Sequence, residues 1–352
     1  MTSADGRKPR TTSRRRRLLF AFVPLAVLLL GAEVVIRLVR APLYFGSFRE
    51  FRTDLMARNY PAVRDPLLGY APKPDYASRD NHWGTIVSID SDGFRKNGTN
   101  APPAGEGLVA TVGDSFTFGD QVDDDATWPA QLEQLAARPV KNGGVFGYSL
   151  TQAILRAEQM LDRFPVTTLI VSFIPDDLDR CEYEKRYTPV PWFQIRGDDL
   201  VLRNVPVPET TGDDGERRFK NALGCSALVD AVLANTCRRW WYENEKQVLV
   251  PELVGKGGEI GKKLIERIAA KCRTKGVRLL VVLQDQKPDD DALAVLRHAE
   301  TLDITTLDLA SEYAAMVAKG HGAHDGWFAG HMTRAGNRWV AERIAATLAM
   351  PR

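Results

Sequence analysis

Ser115 stands directly after Gly113-Asp114 in the stretch Ala110-Thr-Val-Gly-Asp-Ser-Phe-Thr-Phe-Gly-Asp120, where an apolar strand pattern breaks. A serine hydroxyl attacks an acyl carbon only when a base takes its proton, so the stretch poses a choice. Either Ser115 is a nucleophile, or Asp114 and Ser115 merely cap the helix or turn that follows. The other side chains with chemistry of their own are four cysteines, Cys181, Cys225, Cys237 and Cys272. No CxxC or Cys/His spacing among them suggests a zinc site.

The elements that must position Ser115 follow from periodicity. Short apolar runs at Leu108 to Val112, Thr168 to Phe173 and Val277 to Leu283, with weaker ones near Val140 to Val145 and Ile304 to Leu307, read as strands. Amphipathic helix patterns lie between and after them, at Thr127 to Ala136, Thr151 to Phe164, Gly261 to Lys275, Asp289 to Leu302 and Arg334 to Leu348. That alternation predicts an α/β fold with a parallel sheet covered on both faces, a three-layer α/β/α arrangement. Ser115 then falls just beyond the carboxyl end of the first core strand, where open α/β sheets bind ligands. The segment from Cys181 to about Pro251 breaks the rhythm and reads as an insertion.

Charge and hydropathy set the compartment. Formal net charge is only +2, and Arg7, Lys8, Arg10 and Arg14 to Arg17 face a single acid, Asp5. The rest of the chain is mildly acidic, which gives a nucleic-acid partner no electrostatic support. Leu18 to Ile36 follows with Glu33 as its one charge; as a helix it would be about 28 Å long, close to the hydrocarbon thickness of a bilayer. The cationic excess before it places residues 1–17 in the cytoplasm as a basic tail and 18–39 as an uncleaved transmembrane anchor. Residues 40–105 read as a loop-rich stem and 106–352 as the exported domain. A cleaved signal peptide is the rival reading, but "AEVVIRLVRAP" offers no good small-x-small site. In an oxidising compartment the four cysteines allow three disulfide pairings, with Cys225–Cys237 the preferred pair; buried free thiols are the alternative.

Four blocks now fall in order: "GDSFTFG" after the first strand, "NGGVFGYSLTQ" after the second, "FIPDDLDR" after the third and "GHMTRAGNRWVAERI" near the end. In order and spacing they resemble the blocks of the SGNH (GDSL-type) hydrolases, over about Gly107 to Leu348. "VSIDSDGFR" and "DDDATWPAQLEQ" resemble the membrane-anchored bacterial branch of that family. The resemblance implies a flavodoxin-like sheet order and makes Ser115 the nucleophile and a donor to the oxyanion hole through its own N–H. It makes Gly147 the second donor, with Asn142 a further candidate, and His331 the base that takes the serine proton. No metal or cofactor is implied.

Two positions depart from the family's pattern. The third block carries Asp176 where an asparagine amide would donate to the oxyanion, and an ionised carboxylate cannot donate. Asp176 therefore enters the oxyanion hole as a protonated donor, or turns away and accepts backbone amides. The last block has Phe328 three residues before His331, where an aspartate would orient the imidazole, and Ala329 two before. Asp325 is the nearest acid in sequence, and a Ser–His dyad is the other route to activity. The resemblance implies a serine esterase acting on O-acyl esters, O-acetyl above all, of a cell-envelope polysaccharide or peptidoglycan. An O-acyltransferase with the same site and a non-catalytic glycan-binding scaffold are the alternatives. Location is the bacterial inner membrane, single-pass, with the C-terminal domain periplasmic or extracellular. Trp192, Trp240, Trp241 and Tyr242 are available either to stack on sugars or to pack the insertion.

Overall fold

The computed structural model describes residues 14–40, 46–98, 103, 105–209, 214–287, 289–320 and 326–349. It divides into two compact units, Met1–Thr53 with Gly212–Asn244, and Asp54–Thr211 with Glu245–Arg352.

The larger unit is built on a five-stranded parallel sheet. Its strands are β1 (Leu108–Val112), β2 (Val140–Asn142), β3 (Val166–Phe173), β7 (Arg278–Leu283) and β8 (Thr305–Asp308), in the order β8-β7-β3-β1-β2. Because each central strand is covered on both faces, alternate residues feed two separate cores. Ala110, Val112, Leu169, Val171, Val281 and Leu283 pack with α5 (Leu150–Arg163), α9 (Gly257–Lys275) and α10 (Asp290–Thr301). Val109, Ile170, Leu280 and Val282 pack with α4 (Trp128–Ala136) and α12 (Arg334–Ala349). Leu169, Ile170 and Val171 are wholly buried, and each such side chain contributes roughly 1.5–3 kcal/mol. The result is the three-layer α/β/α sheet in flavodoxin-like order. Strand order reverses between β1 and β3, which opens a crevice at their carboxyl ends.

Residues 54–98 are more than a stem. An antiparallel hairpin of Ala62–Asp65 and Gly69–Pro72 brings Leu68 and Tyr70 into the sheet's core, and Val87, Ile89 and Phe94 follow them there. Strands of two to four residues are too short to leave a periodic signal, so only their Pro and Gly turns show in the sequence. The segment read as one insertion is likewise divided. Its ends form β4 (Tyr183–Arg186), β5 (Thr188–Pro189) and β6 (Gln247–Leu249), a small sheet of order β6-β4-β5 in the larger unit.

The smaller unit holds the middle of that segment, α7 (Asp214–Leu223) and α8 (Ala227–Thr236), with α1 (Arg14–Arg40) and α2 (Phe48–Thr53). Phe22–Arg40 has mean hydropathy 2.3 and is long and apolar enough to cross a membrane. Glu33, its one acid, accepts from Ala227 N at 2.9 Å, Leu228 N at 2.8 Å and Ser226 Oγ at 2.8 Å, which satisfies the first turn of α8. Asp230, fully buried, pairs with Arg40 at 2.8 Å and accepts from Trp241 Nε1 at 2.9 Å. Trp241 and Tyr242 are therefore buried packing residues, unavailable to sugars; Trp240 is exposed and Trp192 half-buried. All four cysteines are unpaired. Cys225 and Cys237 flank opposite ends of the ten-residue α8, about 15 Å apart, whereas a disulfide needs Cα atoms within about 7 Å.

Candidate active site

The chain leaves β1 through Gly113, whose missing Cβ matters. A Cβ there would lie 2.4 Å from Thr117 Oγ1 and 2.5 Å from Ser172 O, so only glycine lets the backbone turn this closely into α3 (Ser115–Phe118). Asp114 caps α3, accepting from Phe116 N at 2.9 Å through Oδ1. Its Oδ2 accepts from Arg180 Nη1 at 3.1 Å and lies 3.2 Å from Ser115 Oγ, a longer alternative acceptor for the single hydroxyl proton. The cap is thus Asp114, which leaves the Ser115 hydroxyl free of that task.

His331 reaches Ser115 from the far end of the chain. It opens β10 (His331–Met332), which pairs with β9 (Phe328–Ala329) across Gly330, whose φ of +85° favours glycine. Buried Asn337 pins this hairpin: it donates to Met332 O at 3.1 Å and Thr333 O at 2.9 Å and accepts from Trp128 N at 2.8 Å. The outcome is a 2.8 Å contact between His331 Nε2 and Ser115 Oγ. Burial, and then the positive charge of Arg180, hold the imidazole below its ordinary pKa against the pull of Asp114, so it is neutral at pH 7 and free to accept a proton.

The other imidazole nitrogen meets an amide. Gln121 Nε2 lies 3.1 Å from His331 Nδ1, while Gln121 Oε1 accepts from the His331 backbone N at 3.4 Å. A base-competent histidine carries its proton on Nδ1, which requires the amide to present its oxygen there instead. That exchange gives up only the longer backbone contact. Phe328 and Ala329 supply no acid, and Asp325 lies outside the described residues; among the described residues the side chain at His331 Nδ1 is that of Gln121.

Asp120, beside it, is nearly buried, with Oδ2 at 3.7 Å from His331 Nε2. Burial first, and the charge of Asp114 second, push its carboxyl up to about 8 against the pull of Arg95. A carboxyl whose folded pKa is raised takes up a proton on folding between about 4 and 8, so stability falls as pH rises through that window. Asp120→Asn is therefore expected to be more stable than the parent at pH 9, by on the order of a few kcal/mol, and little changed at pH 4. Urea melts at both pH values measure this; equal shifts at the two would refute it.

Two candidate oxyanion donors stand on two loops. The backbone N–H groups of Ser115 and Gly147 have no acceptor among the described residues, as donors awaiting a substrate oxygen require. Gly147 has φ +71°, and its carbonyl accepts from Arg186 Nη1 at 3.1 Å. Asn142 is a turn former, accepting from Gly144 N at 3.0 Å. Asp176 does not join the oxyanion hole: its carboxylate is 69% exposed, and its ion-pair partner is Arg180 at 3.4 Å. Pro175 starts α6 (Pro175–Asp179), and the first helical turn sends Asp176 outward and Asp177 inward. Asp177 accepts from Ile174 N at 3.1 Å and from Arg180 at 2.6 Å. Arg180 thus bridges Asp114 and Asp177 and also donates to Tyr148 O at 3.0 Å. One guanidinium between two buried carboxylates leaves a negative charge in excess; burial and then Asp114 push the Asp177 carboxyl up.

Ser115, Gly147 and His331 line one cavity of about 210 Å³, with Arg180 and Arg186 in its wall. A larger hollow of about 680 Å³ lies at the opposite, amino-terminal end of β7. Its Cys272 thiol is pushed up to about 12 by burial, so it holds no activated nucleophile. Sequence reasoning missed Gln121, Asp120, Arg180 and Arg186. Asp120 and Gln121 follow α3 directly, but neither they nor the arginines carried a local signal of contact with His331.

No family model matches the chain, and no curated protein matches it. Among solved structures it is similar to a lipolytic protein of the G-D-S-L family from Desulfitobacterium hafniense, with 15% identity and TM-score 0.39 over 69% of this chain and 99% of that one. It is also similar to TesA, with 14% identity and TM-score 0.37 over 69% and 98% of the two chains. A catalytic mutant of Axe2, an acetylxylan esterase from Geobacillus stearothermophilus, gives 11% identity and TM-score 0.37 over 72% and 98%. In this chain itself, Ser115 stands after the first core strand, Gly147 after the second and His331 before the last helix.

Proposed function

We propose that this chain is a serine esterase of the SGNH type, acting on O-acyl esters through an acyl-Ser115 intermediate. The observation that carries the reading is the 2.8 Å contact between Ser115 Oγ and His331 Nε2, made by residues 216 positions apart. In the first half-reaction Ser115 Oγ bonds to the acyl carbon while its proton passes to His331 Nε2. The carbonyl oxygen takes the negative charge and is met by the N–H groups of Ser115 and Gly147. The intermediate then collapses, the C–O bond to the alcohol breaks, and His331 returns the proton to the leaving oxygen. Water, deprotonated by His331, repeats the sequence and frees the acid. His331 is 31% exposed, which supports water as the acceptor over a sugar hydroxyl.

The apolar α1 and the cationic run before it support a single-pass anchor with the sheet unit outside the cytoplasm. An exported esterase of this kind fits O-acetyl groups on a cell-envelope polysaccharide or peptidoglycan. Fluorophosphonate labelling of the detergent-solubilised full chain tests the reading. The expected result is one phosphonylated residue, Ser115, with no label in Ser115→Ala; label elsewhere, or none on a folded parent, overturns it.

A further inference from the structure

The cleft over Ser115 carries a cation that the proposed chemistry does not consume. Arg180 is occupied by Asp114 and Asp177, and Arg186 is not. Among the described residues the Arg186 side chain makes one hydrogen bond, to Gly147 O, and no carboxylate lies within ion-pair distance of it. A guanidinium has five N–H donors, so the Gly147 carbonyl uses a small part of what Arg186 offers. It is half-buried beside a second guanidinium charge, and burial first and Arg180 second pull its pKa down. The acid whose charge reaches it, Asp177, is bound directly by Arg180, so a ligand anion would be the first carboxylate or phosphate to pair with Arg186 itself.

The backbone next to it is shaped for the same purpose. Tyr187 follows Arg186 at the turn from β4 to β5 with φ +63°, a conformation unfavourable for a bulky residue and of the kind retained at ligand sites. Its ring lies under Arg58 at 4.4 Å and within 6.0 Å of the Arg186 guanidinium, and all three residues line the cavity. At about 210 Å³ the cavity is smaller than the roughly 300–1,000 Å³ of a drug-sized site, so one ring and its substituents enter and the rest of a polymer stays outside.

We propose that this cleft takes an acyl ester whose alcohol portion carries an anionic group, a carboxylate or a phosphate, seated on Arg186 against the Tyr187 ring. The substrate class is then an O-acylated acidic sugar, which rests on the esterase reading above. The test compares three acetylated monosaccharides on the full chain: a uronic acid, its neutral methyl ester and a 6-phosphate. Expected is a kcat/KM about ten- to hundred-fold higher for one or both anionic substrates than for the neutral ester, with the stronger of the two naming the anion. In Arg186→Gln that preference should fall to within about two-fold, and Arg186→Lys should restore part of it. Because each preference is a ratio within one protein, a general loss of rate in a variant cancels.

Binding supplies a readout independent of catalysis. The deacetylated uronic acid and sugar phosphate, titrated into Ser115→Ala protein, should bind at least about ten-fold more weakly once Arg186→Gln is added. A neutral ester turned over as well as both anionic ones, or equal anion binding with and without Arg186, overturns the proposal. Anion binding that depends on Arg186 in a protein with no turnover would sink the esterase reading and keep this one.

Discussion

Ser115→Ala is expected to lower kcat for a small acyl ester by roughly 10⁴ to 10⁶, and His331→Ala by a similar amount. Each half of the pair is useless alone: without Oγ no acyl-enzyme forms, and without the imidazole the hydroxyl keeps its proton. The double variant should be no worse than either single one, because groups that act as a unit fail together. Residual activity over the uncatalysed rate is expected from the N–H donors of Ser115 and Gly147, which neither substitution removes. Ser115→Ala also loses one hydrogen bond to Asp114 Oδ2, a change of about 1 kcal/mol that leaves the domain folded. Steady-state kinetics with circular dichroism on the same samples decide it; retention of a tenth of the parent rate in a folded Ser115→Ala protein would sink the nucleophile assignment.

Arg95→Met is expected to destabilise the sheet unit by about 3–5 kcal/mol. The Arg95 side chain is fully buried and ties two segments together. It donates to Asp124 Oδ1 at 3.0 Å, Phe118 O at 2.8 Å, Val122 O at 2.7 Å and Ile86 O at 3.1 Å, and its guanidinium lies 4.9 Å from the Phe118 ring centre. Methionine fills much of the volume but satisfies none of those acceptors, and each buried oxygen left without a donor costs about 1–3 kcal/mol. The segment it holds carries Asp120 and Gln121, so the damage reaches His331 as well as the fold. A chemical melt should show the lost stability, and below the transition the folded fraction should still turn over ester more slowly than the parent. A midpoint within the error of the parent's would refute the account.

The sheet was legible because its strands and helices are long enough to show their periods. Leu108–Val112 and Arg334–Ala349 stand within a residue or so of the sequence reading, and Gly-Asp-Ser falls at the end of the first core strand as read. What failed did so for geometric reasons. Asp176 and Asp177 are adjacent in a helix's first turn, where one residue rotates the side chain by about 100°, so matching a block by position placed the wrong carboxylate inside. Gln121 meets His331 across 210 residues, and no local pattern announces such a pairing. Arg180 at the end of α6 and Arg186 at the end of β4 meet neighbours that come from elsewhere in the chain. The kinship of residues 212–244 with the first 53 is equally invisible, since it lies in side chains such as Glu33, Arg40 and Arg49.

That kinship bears on what the apolar N-terminal helix is. A leader peptide is disposable: the mature protein folds after a protease has discarded it. Here removal of α1 would strip Ala227 N, Leu228 N and Ser226 Oγ of their acceptor in Glu33 and leave buried Asp230 without Arg40. The smaller unit would lose its own scaffold at the cut. In the folded chain the helix is thus a structural partner of α8, and a chain cut after Arg40 is expected to lose the order of the smaller unit.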